Sequence, residues 1–212
     1  MYKFVRIIPA IFLALLLANG LGAQTSGLSA RYLYYETDGA SHLGIRYNLI
    51  KVDPATRRAQ AVDPDQNFKE GDCFAVEFTP NQDGDIYVVN LGSSGVWQFL
   101  MPSPDVPGEA SAVHANTTVR IPQEFCFRLD SRRGVETLII AIEGHQDGLQ
   151  AATRRTIEQV REWQREQIVG RDIIMQKIAK PEPGQEAPDT VYAVEIGRTS
   201  GHVALEIKIR HE

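Results

Sequence analysis

Apolar and polar residues alternate with period two along most of this chain. In the run "CFAVEFTP", Phe74, Val76 and Phe78 share one register, while Cys73, Ala75 and Glu77 share the other. Successive side chains of a strand point to opposite faces, so this run predicts a strand with one face in a core and Cys73 directed away from it. "HLGIRYNLIKVD", "GDIYVVNLG", "GVWQFLMP", "TTVRIP", "FCFRLD", "VETLIIAIEG", "TVYAVEIG" and "HVALEIKIR" read the same way. Each is short, rich in β-branched and aromatic residues, and bounded by Gly, Pro, Asn or Asp. Trp97 and Phe99 share a register and are expected on an inner sheet face. Asp53-Pro54 closes one strand, and Asp83-Gly84 and Ser94-Gly95 read as hairpin turns. Near the N-terminus, "LSARYLYYE" is apolar in both registers and predicts a packed strand, or else a Tyr-rich arm, within residues 24–41.

One segment departs from the rhythm. Leu149, Ala152, Ile157, Val160, Trp163 and Ile168 lie near one helical stripe, so residues 149–169 predict an amphipathic helix ended by Gly170. "RDIIMQKIAK" predicts a short second helix, and "PEPGQEAPD" an extended linker. Strands in succession without intervening helices pair antiparallel, and two sheets face to face bury that many half-apolar strands. The expected fold is mainly β: an immunoglobulin-like antiparallel β-sandwich over residues 42–212 with a helical insertion at 149–180.

The first residues set the compartment. Lys3 and Arg6 precede an apolar run from Ile7 to Ala18, and small residues end at Ala23. That is the pattern of a cleaved secretory signal, residues 1–23; the apolar run is too short for a lasting membrane anchor. Its removal leaves 20 basic and 27 acidic side chains, net −7. Nucleic acid is an unsuitable partner for that balance. In an oxidising compartment Cys73 and Cys126, both on the outward registers of their strands, are placed to form a disulfide if those strands are neighbours; two unlinked thiols are the alternative.

Candidate chemistry is sparse. Asn81, Asp83 and Asp85 alternate as in a calcium loop, but the glycine stands too early and a turn explains the same residues. Asp63 and Asp65 flank Pro64, as acid/base carboxylates or, more simply, a turn. Asn116-Thr117-Thr118 matches a glycosylation acceptor. His42, His114, His145, His202 and His211 show no metal spacing, and no nucleophile elbow is present. No catalytic residue, cofactor or metal is therefore assigned. Two surfaces suit partner binding: the long loop 102–116, with His114 and Asn116, and the helix face bearing Trp163, which alternatively docks on the sandwich.

Phe68 through Asp72, Asp83 through Val89 and Trp97 through Pro102 carry a resemblance to the bacterial domain-of-unknown-function family 4384, spread over roughly residues 43–144 and 190–210. The resemblance implies an exported envelope-type β domain and supplies no catalytic residues. The expected function is a non-catalytic protein-interaction module of the bacterial envelope, periplasmic or secreted, whose partner is an unidentified envelope protein. A glycan or cell-wall-binding module using Trp97 or Trp163 is the alternative, and a hydrolase with an unrecognised site stands third.

Overall fold

The computed structural model describes residues 29–36, 42–103, 111–145, 155–170, 172–178, 190–197 and 201–212. The expected signal segment, residues 104–110 of the loop 102–116 and the start of the expected helix lie outside the described residues. The elements in chain order are α1 (Ala30–Tyr35), β1 (Gly44–Val52), β2 (Ala59–Val62), β3 (Asn67–Phe68), β4 (Cys73–Pro80), β5 (Gly84–Leu91), β6 (Trp97–Met101), β7 (Ala112–Val113), β8 (Val119–Ile121), β9 (Phe127–Arg128), β10 (Gly134–Gly144), α2 (Ile157–Gly170), β11 (Ile173–Ile178), β12 (Thr190–Glu195) and β13 (His202–His211).

The strands form two sheets. The first runs β11-β12-β1-β4-β8, with β2 beside β1 and β9 beside β4; the second runs β3-β13-β10-β5-β6, with β7 beside β5. One core joins them: Ile45, Phe74, Val76 and Phe78 from the first sheet meet Val88, Ile140 and Leu205 from the second. These are alternate residues of their strands, as period two requires. The pairings are antiparallel except β3 with β13, which run parallel.

Four expectations are corrected. Residues 30–35 are a helix, not a strand: Ser29 caps it through Oγ and the Tyr32 N–H, and Ala30, Leu33 and Tyr34 fall on one helical face against Tyr192 and Val194. Residues 173–178 are the edge strand β11, not a second helix; Gln176 and Ile178 pair with Tyr192 and Thr190 of β12. Asp83-Gly84 is no hairpin turn, since β4 and β5 belong to different sheets. Gly84 instead sits where an added Cβ would lie 2.4 Å from the Glu143 carbonyl oxygen, so backbone proximity excludes a side chain. Trp97 and Phe99 face outward, beneath α2, with Tyr87, Val89 and Ile139. Ser94-Gly95 does form the β5–β6 hairpin, with Gly95 at φ +80°.

The helix α2 begins with a capping box. Thr156 Oγ1 accepts from the Gln159 N–H, and Gln159 Oε1 accepts from the Thr156 N–H. Val160 is buried as expected, but Ile168 is 61% exposed, and Gln164 and Gln167 occupy the buried stripe instead. Gln167 donates to the His202 carbonyl at 2.7 Å and accepts from the Ala204 N–H at 2.6 Å. Its amide thus serves β13 as the backbone of a neighbouring strand would.

Candidate functional site

The two cysteines form a disulfide between β4 and the residue before β9, with Cα atoms 5.5 Å apart. Cys73 and Ala75 lie with Ile50 and Val52 in a small cluster on the outer face of the first sheet, as the outward register predicts. Above this cluster is a groove of about 360 Å³ in which Arg57, Arg120 and Arg128 surround Phe125 and the disulfide. It holds three guanidinium groups against the carboxylates of Asp53 and Glu124, on a chain whose net charge is −5.

Local structure accounts for each member. Asp53 turns the chain after β1: its Oδ1 accepts from the N–H groups of Ala55 and Thr56, and its backbone carbonyl accepts from the Arg57 N–H. These bonds, the Thr56 hydroxyl foremost, hold its carboxyl below the usual range. Asp53 therefore spends its oxygens on the turn. Arg57 closes that turn at φ +58°, a backbone state that suits glycine, so an arginine is held there at a cost of about 1 to 2 kcal/mol. Arg120 lies 3.3 Å from Glu77, its neighbour across β4 and β8. Phe125, expected beside Phe127 and Leu129 on the core face, is 66% exposed. It precedes β9, where the ladder is interrupted and the alternation no longer fixes its side.

The sites expected from sequence are dispersed. Asn81, Asp83 and Asp85 do three structural jobs. Asn81 accepts from the Gly44 N–H and donates to the carbonyls of Tyr34 and His42. Asp83 accepts from the Ala115 N–H at 2.7 Å. Asp85, buried, accepts from Ser111 Oγ at 2.5 Å and lies 2.9 Å from His145 Nε2. Among the described residues, no group of three or more His, Cys, Asp or Glu side chains is arranged to hold a metal. Asp63 and Asp65 both engage Lys177, at 2.5 and 3.1 Å. His114 is exposed, 3.8 Å from Asp83. Asn116 takes φ +59° and donates its N–H to the Pro80 carbonyl, so it shapes the turn before β8. Trp163 docks on the second sheet, stacked on His202 at 4.5 Å and edge-on to Tyr87.

The Ser111, Asp85 and His145 trio does not have the wiring of a nucleophile. A catalytic serine needs the imidazole between hydroxyl and carboxylate. Here the carboxylate is in the middle, and the imidazole N–H is directed to Asp85 rather than to Ser111. Burial, then the charges of Asp85 and Glu143, hold the nearby Tyr87 hydroxyl above its ordinary range.

Residues 67–142 match the model of a domain of unknown function, DUF4384. The match runs from β3 into β10 and includes Cys73, Arg120, Phe125, Cys126 and Arg128; Arg57 lies before it. No curated protein and no solved structure matches the chain. The DUF4384-like segment opens with the turn "KEGD", in which Gly71 has φ +81° and Asp72 Oδ2 accepts from both the Lys69 N–H and Lys51 Nζ. Burial alone would raise the Asp72 carboxyl; those two donors outweigh it and hold it below the usual range. A depressed folded-state value contributes stability above the ordinary carboxylate range, and that contribution vanishes as pH falls through the folded value. Asp72→Asn is therefore expected to cost about 1 kcal/mol at pH 7, and the gap to wild type should close between about pH 5 and 3 in urea titrations. A gap independent of pH would refute it.

Proposed function

We propose that the chain is a non-catalytic interaction module of the bacterial envelope, exported by its N-terminal segment and built on an immunoglobulin-like sandwich. The observation that carries this is the groove over the disulfide, where the side chains of Arg57 and Arg128 make no hydrogen bond or ion pair among the described residues and stand beside exposed Phe125. Aromatic and arginine side chains in a desolvated recess are the residues that dominate protein interfaces. The groove's excess of guanidinium groups favours an acidic protein segment. The disulfide supports an oxidising compartment. No helix among the described residues is long and apolar enough to cross a membrane.

The glycan alternative has less support at the two tryptophans. Arg161 lies 4.6 Å from the Trp97 ring, and Trp163 is flanked by Arg155 and His202, so their stacking faces are already engaged.

The test places the photoreactive residue p-benzoylphenylalanine at Phe125 in living cells. A discrete protein adduct that disappears with Arg57→Glu is expected. The same probe at Val135, exposed on the second sheet, should give none. Adducts equal at both positions, or hydrolytic turnover by the purified chain that is lost with Ser111→Ala, would overturn the reading.

A further inference from the structure

The disulfide groove stands at one end of an outer face that continues along β1. Arg46, Asn48, Ile50 and Val52 take the register opposite to Ile45, Tyr47 and Leu49 of the core, and so line that face. At the groove end Val52 lies beside Cys73, and Cys73 beside Arg128. At the far end Arg46 lies between Tyr192 and Thr79, within reach of α1. Arg46 and Val52 stand six residues apart in β1, about 20 Å at ~3.3 Å per residue of strand.

Both ends combine arginine with an exposed aromatic ring. Arg46 Nη1 donates to the hydroxyl of exposed Tyr35 at 3.1 Å, and the Tyr192 hydroxyl bonds the same guanidinium. Arg46 makes no ion pair among the described residues; two neutral hydroxyls hold a fork of five N–H donors. Arg57, Arg128 and Phe125 repeat the combination at the groove, where Asp53 is engaged by its turn and Glu124 is left against two guanidinium groups. The ground between the ends carries no spare negative charge. Glu77 is the only acidic residue of β1, β4 and β8, and Arg120 lies 3.3 Å from it. The chain is acidic as a whole, yet this face is cationic at both ends.

We propose that the acidic partner of the interaction reading, on which this inference rests, is an extended segment gripped at two points. One acidic cluster sits at Arg57 and Arg128, a second at Arg46 about 20 Å away, and the chain between them crosses the outer face of β1, β4 and β8. Charge complementarity selects the occupant. The tyrosine hydroxyls orient the Arg46 guanidinium without neutralising it, and a carboxylate is the acceptor that its planar fork fits. Joining two weak contacts makes the second intramolecular, so the spacing of the acidic residues sets affinity as well as their number.

The experiment measures, by fluorescence anisotropy with the purified chain, two labelled peptides of identical composition. In EEGSGSGEE the glutamate pairs can stand about 23 Å apart when extended, and in EEGEEGSGS only about 10 Å. The spaced peptide should bind at least tenfold more tightly. Arg46→Gln, whose amide can still meet the tyrosine hydroxyls, should erase that difference and leave the close-spaced peptide unchanged; Arg57→Glu should weaken both. In cells, p-benzoylphenylalanine at Tyr35 should trap the same protein as at Phe125. Equal affinities for the two peptides, a difference that survives Arg46→Gln, or a Phe125 adduct with none at Tyr35 would overturn this inference alone. Neither peptide binding, together with no Phe125 adduct, would overturn the interaction reading and this inference with it. Polygalacturonate, an acidic polysaccharide, should compete no better than the close-spaced peptide at equal charge; if it displaces the spaced peptide at lower concentration, the occupant is a glycan and the proposal fails.

Discussion

Replacing Cys73 and Cys126 together by alanine is expected to lower the unfolding free energy by about 4 kcal/mol. The bridge closes a loop of sequence separation 53, and the chain-entropy relation for a loop of that length gives this figure at 25 °C. Packing adds to the same direction, because Cys73 is buried with Ile50, Val52 and Ala75, and shortening it leaves a small void beneath the groove. For a chain of this length the melting temperature should fall by about 10 °C. Wild type in reducing buffer should approach the double variant, and reductant should not move the double variant at all. Wild type unaffected by reductant, with two alkylatable thiols per chain, would show that the bridge is not formed. The link also ties β4 to the irregular run that carries Phe125, so its loss should weaken the Phe125 adduct as well as the fold.

The inner faces of both sheets were legible because period two is a direct record of burial: Phe74, Val76 and Phe78 could face only one layer. The same rule placed the cysteines outward, from where they meet. What failed was the side of a strand whose two registers are both apolar. Trp97 and Phe99 share one register and Gln98 and Leu100 the other, a bulge opposite Val88 and Val89 returns Met101 to the core, and bulk alone does not tell an inner face from an outer face roofed by a helix. The Tyr-rich segment failed likewise, since Ala30, Leu33 and Tyr34 satisfy a helical spacing that the alternating reading ignored. The buried glutamines of α2 were hidden by their polarity; only the strand backbone they bond explains them. The groove was invisible for another reason. Arg57, Arg120 and Arg128 come from three turns and strands that adjoin only after β1, β4, β8 and β9 have paired. A glycine-like backbone at Arg57 leaves no trace in the letters.

Asp85→Ala is expected to cost about 3 to 5 kcal/mol, comparable to the disulfide although it removes one side chain. The residue is 5% exposed and stands at the start of β5, where the chain has just crossed from the first sheet to the second. Two segments are fixed to it, Ser111 ahead of β7 and His145 after β10. Without the carboxylate a half-buried hydroxyl and a half-buried imidazole N–H lose their acceptor together, which costs more than the bonds contributed. Asp85→Asn keeps the shape and one acceptor oxygen, so it should cost only about 1 to 2 kcal/mol, and Ser111→Ala about 1 kcal/mol. The ordering is the point of the measurement. A catalytic aspartate would show little stability loss on substitution and a large loss of turnover, whereas a structural pin shows the reverse. If denaturant midpoints of Asp85→Ala and wild type coincide, the trio does not hold the crossover, and the case against a reaction centre at Ser111 loses its energetic half.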